Sequence, residues 1–207
     1  MEDIKKEEVK DIKIEAENTP VTIELPENSP LRRIVVPHKK ASRLVTEADI
    51  DRVVAEAKIL HAICFESSGI YKGAYAMHHA QIDDKDPLNF FVTSNYKIVI
   101  NPVITRHSGY TVDSKEGCVS YSGEKQVVVQ RWQKIETEYV TIMVDPNDES
   151  KFKFSSKIEE GFSGMDAKVF QHEFDHGQAK YIHPFQENDI KKDYIIVTGK
   201  QIGRAHV

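Results

Sequence analysis

Apolar residues recur at helical spacing from Ile50 onward, at Val53, Val54, Ala57, Leu60, Ile63 and Cys64. Thr46-Glu47-Ala48-Asp49, just before them, has the form of a capping box with Asp49 in place of the usual Glu. The spacing predicts a helix that ends before Gly69. Elsewhere, period-two alternation takes over. Val21 to Leu25 reads as a short strand, followed by an extended stretch punctuated by Pro26, Pro30 and Pro37. Ala74 to Ile82 reads as a strand and turn, and Lys97 to Ile100 as a strand ending at Asn101-Pro102. Gly109 and Asp113-Ser114 mark a loop. Val127 to Val129 and Glu138 to Val144 read as two β segments joined around Trp132 and paired as a hairpin, with a turn at Val144-Asp145-Pro146-Asn147-Asp148. Phe152 and Phe154 alternate with Lys151 and Lys153 as on a half-buried strand, and Tyr194 to Thr198 is a last strand. Met165 to Lys180 is a second helix with Met165, Val169 and Phe170 turned inward. This order predicts an α+β fold, with antiparallel sheets packed around that second helix.

Composition narrows the class. At 207 residues the chain suits one domain, expected over 21–198, with a charged flexible arm at 1–20 and a tail at 199–207. Forty per cent hydrophobic and 29% charged residues are ordinary for a globule. The net charge of −5 argues against nucleic acid as a partner. No apolar run reaches the length of a membrane span, and Met1 to Glu8 has no hydrophobic signal core, so the expected location is cytoplasmic with no membrane partner. Two cysteines make no disulfide framework, and Cys64 reads as buried helix filler.

Chemistry concentrates at Gln171-His172-Glu173-Phe174-Asp175-His176. On a helix, residues four apart share a face, so His172 and His176 can hold one divalent ion. Glu173 beside them can act as general base on water. Two histidines need a further protein ligand. Cys118, in Glu116-Gly117-Cys118-Val119-Ser120, stands out because the glycine lets the backbone approach closely. Taken alone, such a cysteine reads as a small buried hydrophobe.

E-G-C-x-S followed some fifty residues later by Q-H-E-x-D-H resembles the peptide deformylase family. Pro26-Glu27-Asn28-Ser29-Pro30-Leu31-Arg32 and Ile100-Asn101-Pro102 are similar to further segments of that family. The family's first motif, Gly-x-Gly-Leu-Ala-Ala-Pro-Gln, is altered here to Ala74-Tyr75-Ala76-Met77-His78-His79-Ala80-Gln81, which retains Gln81.

The resemblance implies a metal-dependent hydrolase that removes formyl from the N-terminal methionine of nascent peptides at the ribosome and releases formate. It implies Fe(II), with Zn, Ni or Co able to replace it, held by Cys118, His172 and His176. It assigns the oxyanion donors to the Gln81 amide and the Val119 backbone N–H. It also makes the strand at Ala74 and Ala76 an exposed edge that pairs with substrate, where the added methyl groups are expected to narrow the cleft. Glu116 is expected beside the substrate, orienting the Gly-Cys turn, or as a surface pair with a basic residue such as Arg131. Asp175 is read as an acceptor that fixes a neighbouring group or as an ordinary helix carboxylate. His78 and His79, adjacent on a strand, point to opposite faces, so at most one can reach the site, and neither is read as a ligand. Gly177 stands where the family has leucine and implies an early helix end or looser packing.

Two alternatives stay open. One is a metallohydrolase on the same scaffold with another amide substrate, and the other is a family member that binds metal or peptide without turnover. A zinc endopeptidase fits H-E-x-x-H but not E-G-C as the third-ligand motif.

Overall fold

The computed structural model describes residues 21–24, 27–29, 32, 40–71, 74–121, 126–183 and 194–197. The expected arm at 1–20 and tail at 199–207 lie outside these residues, as do Leu25, Pro26, Pro30, Pro37 and Thr198. Among the described residues, no helix is long and apolar enough to cross a membrane.

The described residues form eleven strands and two α-helices. The first half holds β1 (Val21–Glu24), α1 (Ile50–Tyr71), β2 (Ala76–His78), β3 (Phe90–Thr93), β4 (Ile98–His107) and β5 (Thr111–Glu116). The second half holds β6 (Val127–Trp132), β7 (Lys134–Val140), β8 (Ile142–Asp145), β9 (Asp148–Phe154), β10 (Ile158–Ser163), α2 (Gly164–Gly177) and β11 (Tyr194–Val197). β1 pairs antiparallel with β11. The central sheet is antiparallel throughout, in the order β10-β7-β4-β3-β2, so β2 is an edge.

Alternation along the central strands explains how the sheet carries a helix on each face. Met77, Phe90, Val92 and Ile100 point to one side, where Val53, Ala57, Leu60 and Ile63 of α1 cover them. Ala76, Phe91, Val99 and Ile135 point to the other, against Ala167 and Phe170 of α2. Phe91 meets Phe170 edge-on at 5.3 Å between ring centres, and each such buried aromatic contributes about 1.5–3 kcal/mol by leaving water.

The structure extends α1 beyond its expected end. It runs through Gly69 to Tyr71, because one interior glycine costs only about 1 kcal/mol against a face whose Val53, Ala57, Leu60, Ile63 and Cys64 are fully buried. A 3-10 turn at Glu47–Asp49 precedes the helix, and the Asp49 carboxylate accepts both the N–H and O–H of Thr46 at 2.9 Å.

Asn101-Pro102 does not end a strand. β4 continues to His107 across a register shift between Ile100 and Val103, where Asn101 takes a left-handed φ of 50° and the missing Pro102 N–H falls at the irregularity. The Asn101 side chain clasps both backbone groups of Val45 at 2.9 Å. Asp113 and Ser114 lie in β5 rather than a loop, because every residue from Thr111 to Glu116 has a partner on β6, and that ladder outweighs weak β-propensity. β6 and β7 accordingly do not form the expected hairpin. β6 pairs with β5, while β7 sits between β4 and β10; the turn at Asp145 to Asp148 joins β8 to β9 instead. Met165 is not in the core. It is 58% exposed, since two positions along a helix are about 200° apart and Ala167 takes the inward face.

Candidate metal centre

α2 starts from Gly164 at φ +59°, a backbone angle that favours glycine, and is clamped to the end of β6 beside its first histidine. Gln171 accepts the Trp132 N–H at 2.9 Å and donates to the Trp132 carbonyl at 2.9 Å and to Ala167 O at 2.8 Å. His172 and His176, one turn apart, stand with their rings edge-to-face at 4.8 Å. β5 delivers Cys118 to the same point. Its Sγ lies 3.4 Å from His176 Nε2, and the donor atoms of Cys118, His172 and His176 all fall within 4.8 Å of one another. Ligand bonds of about 2.0–2.3 Å in tetrahedral array place donor atoms about 3.3–3.8 Å apart, a spacing that the Cys118–His176 pair already has.

His172 Nδ1 donates to Glu116 Oε2 at 2.9 Å, so its Nε2 is the nitrogen available to an ion. Arg131 grips Glu116 through Nε and NH2, each at 2.9 Å, and reaches Asp175 Oδ2 through NH1 at 2.5 Å. Arg131 and Glu116 side chains are only 8% and 10% exposed, so the expected surface pair is an interior one. Both Glu116 oxygens are engaged, which leaves it orienting His172 rather than facing substrate. Burial works against the Glu116 charge, but hydrogen bonds from His172 and Arg131 outweigh it and hold the carboxyl down at about 2. Asp175 is the Arg131 acceptor from the helix side.

Glu173 is 3% exposed, and its Oε2 has no hydrogen-bond partner among the described residues. Burial pushes its carboxyl up to about 7. An orphaned carboxylate oxygen beside three convergent donors fits a centre that holds an ion and a water.

The altered first motif forms the opposite side. β2 ends at His78, and a 3-10 turn, His79–Gln81, follows. Gln81 is buried; its Oε1 accepts the His78 N–H at 2.8 Å, while Nε2 lies 3.0 Å from Ser120 Oγ and 3.6 Å from Cys118 Sγ. Val119 opens the short turn, Val119–Tyr121, after Cys118. The two histidines face opposite ways, His78 as the last residue of β2 and His79 as the first of the turn. His78 faces α2, with its ring 6.5 Å from that of His176, whereas His79 faces α1, with Nε2 4.0 Å from Glu56. Each uses Nδ1 to accept a backbone N–H, from Ala80 at 3.0 Å and Leu88 at 2.9 Å, so neither joins the donor cluster. Ala74 is half-buried and Ala76 is 7% exposed within the core cluster of Phe91 and Phe170, so the Ala76 methyl enters the core and does not narrow the cleft. α2 does end early, at Gly177, but the packing there is tight rather than loose: a Cβ at Gly177 would stand 2.6 Å from Asn89 Oδ1.

Sequence reasoning assigned no role to Gln171, Ser120 or Asn89 in this centre. Gln171 and Ser120 carried a signal, their places inside the histidine and cysteine motifs, and Asn89 carried none.

The family model described as polypeptide deformylase matches residues 69–189. A peptide deformylase of Karelsulcia muelleri is 33% identical over 92 residues, 44% of this chain and 42% of that protein. One of Thermotoga neapolitana is 37% identical over 78 residues, 38% of this chain and 40% of its own length. The matched stretches thus span about two fifths of these relatives. The crystal structure of peptide deformylase from Thermotoga maritima superposes with a TM-score of 0.54 at 24% identity, covering 77% of this chain and 93% of that one, so the fold is shared. The family match covers the whole interval from the altered strand edge, through the cysteine turn, to the end of the histidine helix, and the chain belongs to the polypeptide deformylase family.

Proposed function

We propose that the protein hydrolyses the formyl group from the N-terminal methionine of peptides, giving formate and a free amine, in the cytoplasm and on nascent chains. The observation that carries this is the convergence of Cys118, His172 and His176 beside buried Glu173 and the Gln81 amide. Cys118, His172 and His176 would hold one divalent ion, Fe(II) by family resemblance. Zn, Ni or Co suit the same donors, so availability decides among them. When bound, that ion supplies Lewis acidity and makes water acidic enough to lose a proton near neutral pH.

The chain's own residues do the rest. Glu173 takes the proton of the attacking water at its carboxylate. As the formyl carbon becomes tetrahedral, negative charge gathers on its oxygen, to which Gln81 Nε2 and the Val119 N–H donate. Glu173 then delivers the proton to the amide nitrogen, the C–N bond breaks, and the amine departs with formate left behind. Glu116 and Arg131 keep His172 turned to the ion. The outer edge of β2 at Ala76, with Ala74 just before the strand, offers backbone to an extended peptide.

Formate release from a formyl-Met peptide by anaerobically purified, Fe-loaded protein tests this reading. Turnover is expected, and Glu173→Ala should retain most of the metal while losing about 10² or more in rate. Stoichiometric metal without formate would sink the activity in favour of another amide substrate or of binding without turnover.

A further inference from the structure

We propose that His78 is a positioning residue for the ligand His176, acting through Asn89 and through the absence of a side chain at Gly177. His78 is fully buried. Its ring is fixed at one edge, where Nδ1 accepts the Ala80 N–H at 3.0 Å. Any ring hydrogen therefore stands on Nε2, which is turned to Asn89 Oδ1 at 3.5 Å and to the end of α2. The space beside that helix end is full. A Cβ at Gly177 would meet Asn89 Oδ1 at 2.6 Å and His78 Nε2 at 3.1 Å. From another side the Ser42 N–H donates to Gly177 O at 2.9 Å.

The residue after His176 is thus held on a close-packed seat made by an imidazole and an amide. Interiors packed to crystal-like density do not absorb an added atom without moving something. Here the things that can move are the helix end with His176, or His78 with Asn89. A shift that carries the His78 backbone also disturbs Gln81, whose Oε1 accepts the His78 main-chain N–H at 2.8 Å. One residue, through its ring and its main chain, therefore adjoins both a metal ligand and the proposed oxyanion donor. Its part is to position, since Cys118, His172 and His176 are the donor cluster.

The consequence for catalysis rests on the deformylase reading; the packing claim does not. Both are separated by a double-mutant cycle on the full chain, read by thermal unfolding and by cobalt titration with the visible cobalt spectrum. Leucine is chosen for position 177 because its side chain is close in volume to the ring that His78→Ala removes. Gly177→Leu should weaken cobalt binding about 10-fold or more and shift the ligand-field bands. His78→Ala should lower Tm by about 5 °C or more through the cavity it leaves. In the double variant, Asn89 can swing into the vacated space, so Tm should recover by more than half and cobalt affinity to within about threefold of the parent. Should Gly177→Leu fail to fold, Gly177→Ala replaces it with the same expectation. Additive losses in the double variant, or unchanged cobalt bands in Gly177→Leu and Gly177→Ala, would overturn the proposal. Formate release by the parent protein is measured alongside: its failure removes the deformylase reading and leaves the cycle intact.

Discussion

The two imidazoles of the centre are held by opposite means. His172 is held by charge: Glu116 accepts from its Nδ1, Arg131 grips Glu116, and Asp175 closes the network from the helix. Away from Cys118, His176 lies against the Tyr181 ring at 4.9 Å, with the His78 ring at 6.5 Å and side-chain-free Gly177 next in sequence. A buried ionic wall fixes direction through a few strong hydrogen bonds, and it needs every member because one lost partner leaves a desolvated charge. A packed neutral wall fixes position through volume, so it tolerates changes of chemistry better than changes of size. The contrast predicts that the charged wall fails abruptly when cut and the neutral wall in smaller steps.

The largest effect is expected from cutting the charged wall at its hub. Arg131→Met leaves Glu116 and Asp175 without their cation and should destabilise by about 3–5 kcal/mol. Asn89→Ala on the neutral wall should cost about 1–3 kcal/mol, in the range for losing a buried hydrogen-bond partner. Urea unfolding of both variants decides, and equal losses would erase the distinction.

A smaller, more specific effect separates orientation from stability. Glu116→Gln keeps the shape and an acceptor but removes the charge, and should lower metal affinity about 10–100-fold. Gln81→Ala should hold its metal and lose about 10²–10³ in turnover. Elemental analysis with formate assays checks the pair; metal loss in Gln81→Ala would mean that the neutral wall also governs the ion.

The smallest effect concerns the loop between Gln81 and Asn89. Asp86 is hydrogen-bonded first by Arg43 and then by Arg52, which hold its carboxyl at about 2 against the usual 3.8. Arg43 holds Asp49 below the usual carboxylate range as well. A carboxyl lowered in the folded state adds stability above its unfolded pKa and loses it as pH falls through the folded one. Tm should therefore decline as pH falls from about 4 to about 2, and Arg43→Gln should flatten that decline. An unchanged slope would show that this network adds nothing.

Local pattern alone was sufficient for the parts of the protein that depend on local geometry. The i, i+4 spacing of His172 and His176 dictates one shared face, whereas His78 and His79 part company because the strand ends between them and a turn begins. The buried stripe of α1 was legible for the same reason, whereas its end was not: whether a glycine stops a helix depends on what anchors the preceding turns. Long-range partners were decided only by the tertiary structure. Arg131 reads as a surface cation until β6 carries it under α2, between Glu116 and Asp175. Asp113 and Ser114 read as loop until β6 supplies a ladder for them. The methyl of Ala76 and the bareness of Gly177 took their meaning from neighbours more than ten residues away along the chain. Charge pairing, strand register and shared volume are properties of elements brought together, and no window of sequence contains both halves of the contact.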